Sequence, residues 1–176
     1  MDITVRPAEE RDLVGLPAIE RSADKVFEAV GIVFPPGPTV IEEVVERARV
    51  LVVGKPVVGF AAVVEVDGHP HLEQIAVHAD ETGRGIGGML LERVVEEAAG
   101  ELTLITFRDV RWNGPWYARH GFAELSEERW GPGLREHWQA EIDAGLHLPG
   151  PRMVMSRQGG GGVDRVPERV AGQGEK

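Results

Sequence analysis

The chain has 176 residues, of which 42% are hydrophobic, and it carries a formal net charge of −10. This length is typical of one domain, and the hydrophobic content is enough for a buried core. The absence of cysteine excludes disulfides, thiolate-bound metals and a cysteine nucleophile. The acidic balance argues against nucleic acid as a partner, and it fits either an amine-bearing partner or a simple need for solubility.

The chain shows no membrane or secretion signal. No stretch approaches the roughly 18 apolar residues of a membrane-spanning helix. The N-terminal segment MDITVRPAEERD lacks the basic and then apolar profile of a signal peptide. We therefore expect a cytoplasmic protein with no membrane partner.

The N-terminal part predicts a short strand over residues 3–6 and a helix that starts near Pro7 and ends near Phe27. The stretch 31–38, GIVFPPGP, predicts a loop because Pro and Gly are costly inside a helix or strand. Apolar side chains then recur at helical spacing and predict a second, amphipathic helix. These side chains are Ile41, Val44, Val45 and Ala48.

Three runs rich in β-branched residues follow, at 50–53, 57–66 and 72–77. Turn residues separate them, which predicts an antiparallel meander. A helix over residues 85–99 and a strand over residues 102–107 come next.

The C-terminal part predicts a short helix over 112–120, a strand that starts at Gly121, a loop and helix within 126–150, and a strand over 152–157. From Gln158 the sequence is polar and rich in glycine, which predicts a disordered tail. The predicted organisation is one domain over residues 1–157 and a tail over residues 158–176.

The strongest local signal is a glycine-rich turn, Gly83-Arg84-Gly85-Ile86-Gly87-Gly88, between a predicted strand and a predicted helix. Glycines let a ligand approach the backbone closely, and the free N–H groups of a helix N-terminus bind phosphate. The turn therefore predicts an anionic cofactor.

The same turn satisfies the dinucleotide fingerprint G-x-G-x-x-G, and Asp109 lies about 20 residues downstream, where a ribose-binding acid is expected. However, residues 78–82 separate the turn from its strand, and the preceding run is a meander instead of a repeated βαβ unit. Both features argue against a nicotinamide or flavin site. A glycine turn with a purely structural role is the other alternative.

The order of elements and this turn resemble the Gcn5-related N-acetyltransferase (GNAT) superfamily over roughly residues 3–157. In that family a strand precedes a motif Q/R-x-x-G-x-G/A, which aligns with residues 82–87, TGRGIG. A second hallmark of the family, Y-x-x-x-G-F, aligns with Tyr117 to Phe122. The resemblance implies an α/β fold of the α+β type, with a mixed, mainly antiparallel sheet and helices on both faces.

The resemblance also implies an acetyl-CoA-dependent N-acetyltransferase without a metal. Backbone groups of one strand would contact the pantetheine arm, and amides of the turn would bind the pyrophosphate. These residues are Ile75, Ala76, Val77, Gly83, Arg84, Gly85, Ile86, Gly87 and Gly88. Thr82 replaces the usual Arg or Gln of the motif, and Val110 replaces an upstream Asn, whose place Asn113 is close enough to take.

Attack of an amine on a thioester requires a base for the amine proton and an acid for the departing sulfur. Tyr117, the only tyrosine, occupies the position of the family's general acid. Strand alternation predicts one shared face for His71, Glu73, Ile75 and Val77. Glu73 is the first candidate for the base and His71 is the second, and an ordinary structural role for each residue remains the alternative. His69 and His71 also suggest a metal, but no third ligand lies near them in sequence, so we expect none.

The acceptor is expected to be a small-molecule amine. The absence of cysteine supports direct acetyl transfer in a ternary complex, and an acyl-enzyme on Ser or Thr is the alternative. Phe27, Phe34 and Trp130 are the predicted substrate-binding residues, and packing in the core is the alternative for each. Two other functions remain open: a non-catalytic acyl-CoA-binding module and an acetyltransferase of protein N-termini or lysines. The family often forms dimers, so a homodimer partner is compatible with the sequence.

Overall fold

The computed structural model describes residues 2–160. Its seven strands have the following bounds: β1 Val5–Pro7, β2 Arg49–Val53, β3 Gly59–Val66, β4 His69–Val77, β5 Glu101–Phe107, β6 Ala123–Glu124 and β7 Arg152–Gln158. Its six α-helices have the following bounds: α1 Glu10–Leu13, α2 Leu16–Lys25, α3 Val40–Val44, α4 Ile86–Glu97, α5 Gly114–Arg119 and α6 Pro132–Asp143. Short 3₁₀ turns cover Val26–Val30, Ala79–Glu81 and Glu127–Arg129.

The N-terminal helical region is interrupted. The sequence predicted one helix that ends near Phe27, but α1 and α2 are separate and a 3₁₀ turn follows α2. The break falls at Gly15 and Pro17, since glycine weakens a helix and proline favours the first turn of a new one. The side chain of Glu20 then joins α2 to α3, because its carboxylate accepts hydrogen bonds from the Val40 and Ile41 N–H groups at 2.8 and 2.9 Å.

All strands form one sheet in the order β1-β2-β3-β4-β5-β7-β6. The β4–β5 pair is parallel, and every other pair is antiparallel. The sheet contains one register shift between β3 and β4, where Ala62 pairs with Gln74 and Val63 pairs with Leu72. Glu73 is therefore an extra, bulged residue, and a bulge changes the direction of the side chains on either side of it.

The sheet is covered on both faces. Along β2, Leu51 and Val53 belong to a core cluster with α4 and α5, whereas Val50 and Val52 belong to a second cluster with α2 and α3. A third cluster holds α6 against β7 through Leu134 and Val154. This architecture confirms the predicted fold class, a mixed and mainly antiparallel sheet with helices on both faces.

The end of the described chain is ordered slightly beyond the predicted domain boundary. Strand β7 includes Gln158, and the N–H groups of Gly159 and Gly160 donate to the carbonyls of Gly100 and Val95. Residues 158–160 thus contact the domain, and the boundary between the domain and the tail stays a prediction. The remaining part of the predicted tail, residues 161–176, lies outside the described residues. No helix within residues 2–160 combines the length and the apolar character needed to cross a membrane.

Candidate active site

A gap opens between β4 and β5 in the middle of the sheet. Their parallel pairing comprises only His71 with Thr103 and Leu72 with Leu104, although both strands continue for several residues. Beyond these pairs the strands separate toward their C-terminal ends. Parallel pairing places both ends at the same edge of the sheet, so the gap is open at that edge.

Backbone groups of β4 face this gap. His78 N–H donates at 2.8 Å to the carbonyl of the residue before β3, on the β3 side. Because successive residues of a strand direct their N–H groups to alternate edges, Val77 N–H points into the gap. Ile75 also faces the gap, with its N–H bonded to Gln74 Oε1 at 3.0 Å, whereas Ala76 faces β3. Of the three predicted contacts of the pantetheine arm, Ile75 and Val77 thus have suitable backbone directions.

The N-terminus of α4 lies directly after the glycine-rich turn. Gly85 is its N-cap residue, and the first intrahelical bond runs from Met89 N–H to Gly85 O at 3.1 Å. The preceding N–H groups, those of Ile86, Gly87 and Gly88, therefore have no partner within the helix. Together with the positive end of the helix dipole, they form a site that favours a phosphate group.

The glycines keep this site accessible. Gly83 and Gly85 have φ of 81° and 76°, which non-glycine residues rarely adopt. A Cβ at either position would meet no atom within 4 Å. A Cβ on Gly87 would lie 3.7 Å from the Trp116 ring, so that ring forms one side of the helix N-terminus.

The polar residues of the predicted cofactor site make local contacts. The Thr82 hydroxyl donates to Ala79 O at 3.0 Å and holds the 3₁₀ turn before the glycines. Arg84 pairs with Glu81 at 3.0 Å, and 62% of its side chain is exposed, so it remains able to meet an anion. Asn113 Oδ1 accepts from the hydroxyl of a β5 threonine at 2.7 Å, which ties the start of α5 to β5.

Tyr117 lies on α5, within the core cluster on the α4 side of the sheet. Its ring contacts Trp116 and Phe122 edge-on, with centroid distances of 5.1 and 5.6 Å. Burial raises the pKa of the Tyr117 phenol, an effect that the nearby Arg152 charge opposes. The hydroxyl is therefore a proton donor at neutral pH.

Glu73 and two histidines form a buried cluster on the opposite face. His137 Nε2, from α6, donates to Glu73 Oε1 at 3.1 Å and lies 2.9 Å from Oε2. His71 Nε2 lies 3.8 Å from Glu73 Oε2, and His71 Nδ1 is hydrogen-bonded to Thr103 Oγ1 at 2.8 Å. The exposed fractions of the His71, Glu73 and His137 side chains are 2%, 12% and 21%.

The charges in this cluster follow from burial and pairing. Burial disfavours the carboxylate of Glu73, but the His137 hydrogen bond and the nearby positive charge outweigh it, so the pKa of Glu73 is lowered. The same hydrogen bond raises the pKa of His137. Burial lowers the pKa of His71 to about 4, so His71 is neutral at pH 7. Glu73 is thus the ionised, proton-accepting member of the cluster.

The predicted common face of β4 is wrong. The bulge at Glu73 places His71 and Glu73 on the α6 side, whereas Ile75 and Val77 pack against the α4 cluster. Simple alternation cannot anticipate an inserted residue. Glu73 nevertheless directly follows the last β4–β5 pair, so it lies where the gap begins.

An aromatic wall flanks the open end of the gap. Phe27 packs against Phe34 and Trp112 with centroid distances of 5.2 and 5.4 Å, and against Phe107 of β5 at 5.9 Å. A cavity of about 580 Å³ lies beside Phe107 and Trp112. Its other walls include Val30 and Ile32 from the segment after α2, residues 109–111 after β5, and Pro149 before β7.

Trp130 is separate from this wall. Its ring packs against Trp138 with a centroid distance of 5.1 Å, and its Nε1 donates to Leu125 O at 2.8 Å. Both partners belong to the cluster beneath α6. The structure therefore places Phe27 and Phe34 together and gives Trp130 a packing role.

Three polar residues near the gap were not predicted from the sequence. His137 contacts Glu73, and Glu141, one turn further along α6, pairs with Arg152 at 3.2 Å. The Arg152 guanidinium lies 4.5 Å from the Phe107 ring centroid, beside the aromatic wall. No sequence motif marks these residues, because long-range folding alone brings α6 to β4 and β5.

The sequence of residues 46–124 matches the model of the acetyltransferase (GNAT) domain family. The chain contains a GNAT acetyltransferase domain. This match confirms the predicted family.

Solved structures share the GNAT fold at low sequence identity. N-acetylglutamate synthase from Neisseria gonorrhoeae, complexed with coenzyme A and N-acetyl-glutamate, matches with a TM-score of 0.64 and 18% identity, covering 90% of this chain and 35% of that chain. Ribosomal-protein-S18-alanine N-acetyltransferase from Escherichia coli matches with a TM-score of 0.61 and 17% identity, covering 93% and 97% of the two chains. PaiA N-acetyltransferase from Thermoplasma acidophilum, in complex with coenzyme A, matches at 0.57 and 15%, covering 90% and 99%.

These matches differ in how much of the other protein they include. The GNAT domain described here spans about a third of the N. gonorrhoeae synthase, but nearly the whole of the E. coli and T. acidophilum enzymes. At sequence identities of 15–18%, the likeness shows a shared fold and nothing beyond it.

Proposed function

We propose that this protein transfers an acetyl group from acetyl-CoA to the amine of a small molecule, directly and within a ternary complex. The observation that carries the proposal is the gap between β4 and β5, which has a free backbone amide at Val77 and leads to the open N-terminus of α4. An extended cofactor with a pyrophosphate fits these two features. Two structural relatives are described as complexes with coenzyme A, which supports the same cofactor here.

The cofactor contacts divide between the helix and the strand. The Ile86, Gly87 and Gly88 amides bind the pyrophosphate, with Arg84 as a nearby positive charge. The strand supports the pantetheine arm, and Val77 N–H donates to the thioester oxygen, on which negative charge develops during attack.

Tyr117 and Glu73 divide the proton transfers. Glu73 accepts the proton that the acceptor amine loses as its nitrogen attacks the carbonyl carbon. The new C–N bond forms and the C–S bond breaks. Tyr117 then gives its phenol proton to the departing sulfur. Burial raises the pKa of this phenol and so keeps it protonated at neutral pH until the transfer. His137 orients the Glu73 carboxylate through its hydrogen bond. His71 is buried and neutral, and it packs beside the same carboxylate.

The acceptor enters on the side of the aromatic wall. The cavity beside Phe107 and Trp112 is mainly apolar, so it suits an amine that carries an apolar or aromatic group. Phe27 contacts both Phe34 and Phe107, and so helps to hold this wall in place.

Release of the CoA thiol from acetyl-CoA, measured across a panel of small amines, amino acids and peptides, tests the proposal. We expect at least one small amine to support turnover. Glu73→Gln and Tyr117→Phe should each lower kcat by roughly 10²-fold or more, the usual scale for loss of an acid or base. Glu65→Gln, which changes an exposed glutamate on the neighbouring strand, is the matched control and should leave kcat unchanged.

The panel also separates the alternative functions. Turnover with peptides alone would favour an acetyltransferase of proteins. Saturable acetyl-CoA binding without turnover on any amine would favour a non-catalytic binding module. Full activity of Tyr117→Phe would contradict the role given to the phenol.

A further inference from the structure

The cluster of His71, Glu73 and His137 has the composition and compactness of a metal site. One ligand atom from each residue can be chosen so that all three lie within 4.8 Å of one another. Two imidazoles and one carboxylate form a common protein ligand set for Zn²⁺. A tetrahedral Zn²⁺ with bonds of about 2.0–2.2 Å separates its ligand atoms by roughly 3.3 Å. Glu73 Oε2 lies 2.9 and 3.8 Å from the two imidazole Nε2 atoms, which brackets that separation.

The surroundings of His71 suit a metal ligand. Its Nδ1 is hydrogen-bonded to Thr103 Oγ1 at 2.8 Å, and its Nε2 faces Glu73. When Nδ1–H donates to the threonine, the Nε2 lone pair is free for a metal. A hydrogen bond on the distal ring nitrogen is the usual way in which proteins orient a metal-binding histidine.

The carboxylate of Glu73 has spare capacity for a ligand. Its Oε2 is buried and makes no well-aligned hydrogen bond among the described residues: it lies 2.9 Å from His137 Nε2, but the His137 N–H points to Oε1. A buried carboxylate oxygen without a partner is costly, and a cation offsets that cost. Glu73 lies two residues after His71 on β4, so ordinary alternation places its carboxylate on the same face as the His71 imidazole, and α6 brings His137 to that face.

We propose that His71, Glu73 and His137 bind a divalent transition-metal ion, with Zn²⁺ as the best-fitting ion. His71 and His137 coordinate through Nε2, Glu73 coordinates through its carboxylate, and a fourth position remains for water. The His137–Glu73 hydrogen bond is replaced by the metal bonds on binding. Where the proposed function holds, occupation also inhibits acetyl transfer, because the Glu73 carboxylate is then unable to accept the amine proton.

Co²⁺, which takes the same ligands and absorbs visible light, is the probe for this site. The full chain without a histidine tag is titrated with Co²⁺ and then with Zn²⁺. We expect one Co²⁺ per chain with a ligand-field absorption band, and one equivalent of Zn²⁺ should remove that band. The absorption band is measured without acetyl transfer. Absence of Co²⁺ binding would therefore contradict the metal site without contradicting the proposed acetyltransferase function.

Variants locate the ion. His137→Gln should abolish the band, and Thr103→Val should weaken Co²⁺ binding roughly 10-fold or more, as expected when a supporting hydrogen bond is lost. His69→Gln is the matched control, because His69 is an exposed histidine on the same strand, and it should bind Co²⁺ like the wild type. Circular dichroism checks that His137→Gln is folded, and Glu73→Gln takes its place if it is not.

Absence of stoichiometric Co²⁺ binding to the wild type would overturn the proposal. Wild-type binding by a folded His137→Gln variant, or by folded Glu73→Gln where that variant replaces it, would overturn it too. Loss of the band in His69→Gln would place the ion elsewhere and would also contradict the proposal.

Discussion

Single residues decide the geometry of the candidate site. One extra residue in β4, Glu73, interrupts the alternation of the strand, so its carboxylate lies on the α6 side while Ile75 and Val77 lie on the α4 side. The sequence identified Glu73 and Tyr117 as chemically suitable but could not place them on opposite faces, because a bulge depends on pairing with the neighbouring strand. His137 was missed for a similar reason, since it lies far along the chain from its partner.

Asp24 on α2 gives a prediction for stability. Burial, and then the negative charge of Glu20, raise the pKa of Asp24 from 3.8 to about 6. Between these values the folded protein holds a proton that the unfolded chain has lost, so stability falls as the pH rises through this window and stays lower above it. Asp24→Asn removes this cost. We expect the free energy of unfolding to rise by about 1 kcal/mol at pH 8, a value below the full shift because the side chain is only partly buried.

Thermal unfolding of wild type and Asp24→Asn at pH 8 and at pH 3.5 checks this prediction. The variant should unfold at a higher temperature at pH 8, and the difference should disappear at pH 3.5, where the carboxyl is protonated in the folded state. A variant that is equally or less stable at pH 8 would show that Asp24 has a favourable partner.

At the scale of elements, the regular patterns of the sequence were sufficient for most of the sheet. The runs of β-branched residues predicted β2, β3 and β4, and the apolar stripe of α4 lies inward, with Ile86 and Leu90 buried. The position of α6 on the sheet could not be predicted from the sequence, because it depends on a contact that is distant along the chain. Asp67, in the turn between β3 and β4, accepts hydrogen bonds from the Gly133 and Leu134 N–H groups at 2.7 and 2.9 Å, and so fixes the start of α6.

Asp67→Gly tests this long-range cap. Glycine tolerates the positive φ of 54° at this position, so the substitution removes mainly the carboxylate. We expect a loss of about 1 kcal/mol of stability, typical of a lost N-cap. Hydrogen exchange should become faster over residues 132–143, whereas Asp67→Asn, which keeps one oxygen acceptor, should have a smaller effect. Unchanged exchange in α6 would mean that other contacts position the helix.

Gly88→Asp tests the phosphate site at the start of α4. A Cβ at Gly88 would lie 3.6 Å from His120 Nε2, an ordinary contact, and an acid in the first turn of a helix is favourable for stability. The same charge repels a pyrophosphate. We therefore expect the melting temperature to be maintained while the Kd for acetyl-CoA rises at least ~10-fold, equivalent to about 1.4 kcal/mol.

Isothermal titration with acetyl-CoA measures the effect of this charge. Val14→Asp adds the same charge at a residue that is 88% exposed, and it should leave the Kd unchanged. Equal affinity of Gly88→Asp and wild type would remove the helix N-terminus from the cofactor site.

For the whole molecule, the features of the cofactor site and those of the acceptor site differ in how far the sequence predicts them. The predicted pyrophosphate site is formed by residues that are close together in sequence, because the helix α4 directly follows the glycine-rich turn. The acceptor side is assembled from the 3₁₀ turn after α2, the end of β5 and the segment before β7. Such a surface has no compact motif, and Trp130, which was expected there, instead packs beneath α6.

Hydrogen exchange of the backbone amides with and without acetyl-CoA tests the proposed acetyl-CoA site, since it reports both binding and its location. We predict slower exchange at Val77 and at Ile86, Gly87 and Gly88 when acetyl-CoA is bound, with little change in α6. Absence of binding, or protection confined to residues away from the β4–β5 gap and the α4 N-terminus, would contradict the proposed acetyl-CoA site.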